Sequence, residues 1–140
     1  MKLRLAIVAA VLSVAACSAS QTTVTEPVVY SLAEAADSVQ IRVGSTISVE
    51  GTLISFSSLV SDSRCPMDAI CVWQGDAAVQ ISAQKGADTQ LMQLHTTLEP
   101  HSSRAHGYSI ALLSVSPYPS ASAPSRPDSY SIWLRILRVQ

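Results

Sequence analysis

Trp73-Gln74-Gly75-Asp76-Ala77-Ala78-Val79-Gln80-Ile81-Ser82 is the stretch that decides the fold class. Trp73, Ala77, Val79 and Ile81 share one parity, and Gln74, Asp76, Gln80 and Ser82 share the other. Extended backbone sends successive side chains to opposite faces, so this alternation predicts a half-buried strand. Working outward, Lys85-Gly86-Ala87-Asp88 is a turn signal, and Leu91-Met92-Gln93-Leu94 opens the next strand. Upstream, Ile54, Phe56 and Val60 alternate with Ser55, Ser57 and Leu59; before them Ile41/Val43 and Ile47/Val49 flank a bend at Gly44-Ser45. Downstream, Tyr108-Ser109-Ile110-Ala111-Leu112 and Tyr130-Ser131-Ile132-Trp133-Leu134 both read as strands, the second running on to Val139. On that last strand Trp133, Arg135 and Leu137 oppose Tyr130, Ile132, Leu134 and Ile136. The two readings are a central strand covered on both faces and an exposed Trp/Arg patch for a partner.

The whole chain agrees with an all-β reading. It has 140 residues, 48% hydrophobic and 14% charged, which suits one folded domain and excludes a disordered chain. Only Ser31 to Val39 has the spacing for a helical turn. About seven short strands predict an antiparallel β-sandwich, immunoglobulin-like or similar, with a small barrel as the alternative. Between the last two strands lies segment 116–129, with Pro117, Pro119, Pro124 and Pro127, a loop unable to donate regularly to a ladder. Loops of this length are commonly functional or mobile.

Residues 1–16 read as a signal peptide: Lys2 and Arg4 precede an apolar run, Leu5 to Val14, broken only by Ser13. As a helix the run rises about 15 Å, half the ~30 Å of hydrocarbon in a bilayer. Val14-Ala15-Ala16-Cys17 resembles a bacterial lipobox, in which the cysteine thiol takes up diacylglycerol and becomes the acylated, palmitate-type N-terminus. The competing reading is ordinary secretory cleavage beside an incidental cysteine. Ser18 resembles the residue that follows the cysteine in lipoproteins sent to the outer membrane, in a bacterium with two membranes. Segment 17–27 is then a lipidated cysteine and polar tether, and 28–140 is the single β domain facing the periplasm. The membrane contact is made by lipid, since two acyl chains already anchor stably. Loss of Lys2 and Arg4 moves the net charge from −1 to −3, leaving no basic surplus for nucleic acid.

Asp62-Ser63-Arg64-Cys65-Pro66-Met67-Asp68-Ala69-Ile70-Cys71-Val72-Trp73-Gln74-Gly75-Asp76-Ala77 carries the most specific pattern. Cys65 and Cys71 are the only pair left after processing, and an oxidising envelope predicts a disulfide between them. Closing so short a loop contributes roughly 2–2.5 kcal/mol on the chain-entropy account. Cys71 and Trp73 share strand parity, which predicts indole packing over the bridge, while Gly75 leaves room for another backbone. Arg64 has Asp62 or Asp68 as an ion-pair partner. The pair either fixes the loop or helps display Arg64, Met67, Asp68 and Ile70 as a rigid binding tip with little entropy to lose.

The segment resembles a D-S-R-C-P-x-x-x-x-C-x-W-x-G-x-A signature of small bacterial lipoproteins. There it precedes an alternating strand, here Val79 and Ile81, and is followed by a Pro turn and a tyrosine strand, here Ser116-Pro117 and Tyr130-Ser131-Ile132. The resemblance covers roughly Ile41 to Val139, is not disturbed by Gln74 and Asp76 where Ala and Glu are commoner, and implies compartment and architecture with no activity attached.

Catalytic patterns are weak. His95, His101 and His106 lie near Glu99 in a loop-like segment, but none of the pairs has i, i+2 or i, i+4 spacing, so they are poor candidates for a metal. No G-x-S-x-G, H-E-x-x-H or phosphate-binding glycine loop occurs, and the carboxylates are scattered. The sequence thus predicts a non-enzymatic, cofactor-free binding or accessory module with an envelope protein as partner. The alternative is a small-ligand or metal-binding periplasmic sensor using the His95–His106 segment.

Overall fold

The computed structural model describes residues 28–30 and 38–139. The expected signal peptide, Cys17, the tether and most of the expected helical turn at Ser31 to Val39 lie outside them. Among the described residues nine strands form: β1 (Val28–Tyr30), β2 (Val39–Arg42), β3 (Thr46–Val49), β4 (Thr52–Asp62), β5 (Ala77–Lys85), β6 (Asp88–His95), β7 (Ser102–Ala105), β8 (Tyr108–Ser116) and β9 (Ser131–Arg138), with one 3-10 turn at Pro127–Ser129. They build a five-stranded sheet, β1-β3-β4-β5-β6, and a four-stranded sheet, β2-β9-β8-β7. No helix among the described residues is long and apolar enough to cross a membrane.

The count rises from seven to nine because β1 is too short for a period and Ser102–Ala105 buries only Ala105. The architecture is also not wholly antiparallel: β1 runs parallel to β3, Val28 lying opposite Ile47. Neither sheet closes on itself, so the barrel alternative falls.

The buried side chains are those the alternation selects. Ile47, Val49, Ile54, Phe56, Val79, Ile81, Met92 and Leu94 from the larger sheet form one cluster with Val39, Ile41, Ile110, Leu112, Ile132, Leu134 and Ile136 from the smaller. The strands that carry the two Tyr-Ser-Ile-x-Leu segments, β8 and β9, pair with each other, Ile110 opposite Ile136 and Leu112 opposite Leu134. Each fully buried aliphatic contributes about 1.5–3 kcal/mol, so this cluster is the main source of stability. In β4 the register shifts between Phe56 and Ser58 and again between Leu59 and Ser61. The extra residue inverts parity, so Leu59 packs on the core and Val60, the expected inward residue, is half exposed. β9 is central by hydrogen bonding, between β2 and β8, but its second face is open: Trp133, Arg135 and Leu137 are exposed. The reading of a strand covered on both faces is therefore corrected.

Candidate functional site

The ends of β4, β6 and β8 and the starts of β5 and β9 converge at one end of the molecule, where the register pairs Asp62 with Ala77, Ala78 with His95 and Ser116 with Ser131. The chain between β4 and β5 carries the disulfide, Cys65 to Cys71, with Cα atoms 5.9 Å apart. Its two legs pair across the loop base, Ser63 N donating to Asp76 O and Cys65 N to Gln74 O. Gly75 has φ +74°, and a Cβ there would lie 1.9 Å from Ser63 O. The close approach expected at Gly75 is thus present. The left-handed backbone at Gly75 also interrupts the extended run, so β5 starts at Ala77 and the parity argument does not reach Trp73. The indole lies in the loop, 53% exposed, which corrects its place in the strand.

Arg64 is buried, which fits the reading of a pair that fixes the loop and not that of a displayed tip residue. Nε and Nη2 donate to the two oxygens of Asp62 at 2.8 and 2.6 Å, Nη1 to Val115 O at 2.6 Å, and Nη2 also to Pro117 O at 2.9 Å. The guanidinium lies 4.7 Å from the ring centroid of Tyr118. Asp62 additionally accepts from Tyr130 Oη at 3.3 Å. One planar cation therefore ties the end of β4 to the end of β8 and to the proline loop, using the fork geometry a lysine lacks.

Asp68 takes a different role from the ion pair open to it in the sequence. It accepts from Ala121 N, Ser122 N and Ser120 Oγ. The bonds from Ala121 and Ser122 hold its carboxyl well below the usual carboxylate range. Met67 N donates to Pro119 O. The disulfide loop and segment 116–129 are thus stitched at several points, and Met67, Ile70, Val72 and Trp73 stand out from this frame, Met67 73% exposed and Ile70 and Val72 fully so. Of the expected binding loop, Met67 and Ile70 are displayed, while Arg64 and Asp68 hold it in place.

Asp76, outside the expected site set, is buried at the adjacent corner. It accepts from Thr97 N and Leu98 N and lies 2.7 Å from His95 Nδ1. Burial opposes its ionisation, but the bonds from His95, Thr97 and Leu98 together outweigh it and hold the carboxyl below its ordinary value. Gln93 Nε2 faces His95 Nε2 at 3.2 Å, so a neutral ring with its proton on Nδ1 suits both neighbours.

The three histidines do not share one loop, since β7 lies between His101 and His106. His101 Nδ1 donates to His95 O at 3.0 Å, whereas His106 Nε2 donates to Ala83 O toward the opposite end of β5. Among the described residues, no three His, Cys, Asp or Glu side chains gather as a metal site. A cleft of about 190 Å³ lies between the sheet ends, lined by Arg64, Gln74, Thr96, Thr97, Leu113 and Tyr118 among others.

Sequence reasoning offered Asp62 among the partners of Arg64 and missed Val72, Tyr118, Asp76 and the two carbonyls that complete the Arg64 set. Val115 and Pro117 accept through backbone oxygens, which no side-chain motif can reveal. The class these features define is a two-sheet all-β protein with a disulfide-closed loop pinned to a proline-rich one. No protein-family model matches the chain, and neither a curated protein nor a solved structure matches it.

Proposed function

We propose that this is a lipid-anchored protein of the bacterial cell envelope, tethered through Cys17 to the outer membrane and facing the periplasm, and that it works as a non-catalytic binding module. In this reading it belongs with the small lipoproteins that share its cysteine signature, and its two sheets stack as a β-sandwich around their common core. The observation that carries the function is the contrast at the disulfide loop. Arg64, Asp68 and the bridge immobilise the backbone while Met67, Ile70, Val72 and Trp73 stay in solvent. Exposed apolar groups on a pre-ordered frame are the arrangement that favours protein capture, because little entropy is lost on docking.

The test is crosslinking of the full lipoprotein in cells, with Cys17→Ala and the double variant Ile70→Asp/Val72→Asp alongside. One envelope partner is expected, reduced by Cys17→Ala and reduced on the order of 30-fold by the double variant. Because both side chains are fully exposed, the double variant should keep its stability to within about 0.5 kcal/mol per site. Capture unaffected by the double variant would rule out this loop as the binding surface. The sensor reading has the cleft beside Thr96 and Thr97 in its favour. It expects thermal stabilisation by micromolar zinc or copper that His95→Ala removes.

A further inference from the structure

We propose that the free edge of β6 is a pairing surface for a second copy of this chain. The inference is independent of the lipid anchor and of the disulfide loop, and starts from hydrogen bonds that are not made. β5 and β6 pair without a bulge over eight positions, from Lys85 opposite Asp88 to Ala78 opposite His95. In a two-residue hairpin the closing pair, here Lys85 and Asp88, exchanges hydrogen bonds. Alternation then turns the N–H and C=O of Gln90, Met92 and Leu94 toward β5, and those of Thr89, Leu91, Gln93 and His95 away from it. The bond from His95 N to Pro100 O, outside the ladder, agrees with that phase. Among the described residues, the backbone groups of Thr89, Leu91 and Gln93 find no partner beyond the hairpin.

The other edges are blunted in ways that discourage pairing. β1 has three residues, β2 four with Arg42 at its end, and β7 four including Arg104, running into the positive-φ pair His106-Gly107. β6 has eight residues, no Lys, Arg or Pro, and its one acidic side chain, Asp88, sits 3.7 Å from His106. An unprotected edge of this kind is a template for another strand.

The pattern of free groups selects a second copy. With a two-fold axis through Leu91 and the strands antiparallel, Thr89 faces Gln93 of the partner subunit and Leu91 faces its own mate. Every free N–H and C=O of Thr89, Leu91 and Gln93 then finds a partner. Moving the axis to Gln93 or beyond would bring in His95, whose N–H Pro100 already holds. Leu91, 70% exposed in the monomer, is covered by its mate on the axis. The outward side chains that meet, Thr89, Leu91 and Gln93, carry no charge, so nothing repels the approach.

The test is sedimentation velocity of the full chain in detergent across the micromolar range, with cysteine crosslinking of Leu91→Cys against Val60→Cys as an exposed control. A concentration-dependent dimer and crosslinking at position 91 well above the control are expected. Leu91→Pro removes only an N–H that points away from β5, so it should keep the circular dichroism of the parent and lose the dimer. If that variant fails to fold, Leu91→Lys serves in its place, with the same expected loss. A chain that stays monomeric with no crosslinking above control overturns the proposal. So does a dimer that survives a folded Leu91→Pro or Leu91→Lys, or a foreign strand crosslinked at position 91 in place of a second copy.

Discussion

At the scale of single residues, Gly75 and Arg64 determine whether the disulfide loop exists as a unit. Gly75→Ala puts a methyl group against Ser63 O and within 2.7 Å of the Arg64 Cα, both backbone atoms that cannot swing aside. The left-handed conformation alone costs a non-glycine residue about 1–3 kcal/mol, and the clash adds to it. Denaturant unfolding should show a loss beyond that range, and amide exchange should lose protection at Ser63 and Cys65 first. Arg64→Ala strands Asp62 and two carbonyls in a buried corner, which should cost about 3–5 kcal/mol; Arg64→Lys should recover only part of it, because an ammonium lacks the fork. Equilibrium urea unfolding of both variants checks the order. The sequence identified the cysteine pair and left Arg64 two carboxylates to choose between. The structure divides them, Asp62 for the guanidinium and Asp68 for the proline loop, because Asp62 at the end of β4 faces inward with Arg64.

At the scale of elements, alternation located seven strands well and failed where the ladder is irregular. The bulges of β4 exchanged Leu59 for Val60, and the left-handed Gly75 cut Trp73 from β5. Both faults arise from single residues that invert parity and leave composition unchanged. The corner where β5 starts and β6 ends shows the opposite limit. Asp76 and His95 are 19 positions apart and meet only because β5 and β6 form a hairpin. That corner predicts an acid dependence. Asp76 is held below its ordinary value in the folded protein, so its contribution is complete above the unfolded value near 3.9 and is lost as pH falls through the folded one. Asp68, shifted in the same direction, acts in the same window. Asp76→Asn should lower stability at neutral pH and make the acid limb of a stability-against-pH curve shallower, with Asp68→Asn flattening it further. Thermal unfolding from neutral pH down to about pH 2 measures the acid limb of each variant.

At the scale of the whole molecule, the two sheets share one core and are clasped at both ends. Arg64 with Asp62, Val115 O and Tyr130 closes one end; Glu50, which accepts from Tyr108 Oη and pairs with Arg138, closes the other. Burial and the neighbouring Glu50 push the Tyr108 hydroxyl above its ordinary value, so it stays a donor to that carboxylate. The sequence by itself determined an all-β class, the core-facing row of most strands, the short disulfide and the exposed apolar tip residues Met67 and Ile70. Each of those follows from local chemistry: side-chain parity, the redox pairing of two nearby thiols, and turn residues between apolar runs. Only the tertiary structure decided which strands are neighbours, that β2 and β3 part into different sheets, that Arg64 faces inward while Asp68 accepts from the proline loop at the surface, and that β6 is an edge strand among the described residues. The Arg64 and Asp68 contacts join side chains to backbone carbonyls and amides more than 50 positions away, and every residue carries the same backbone groups, so no side-chain pattern encodes these partners.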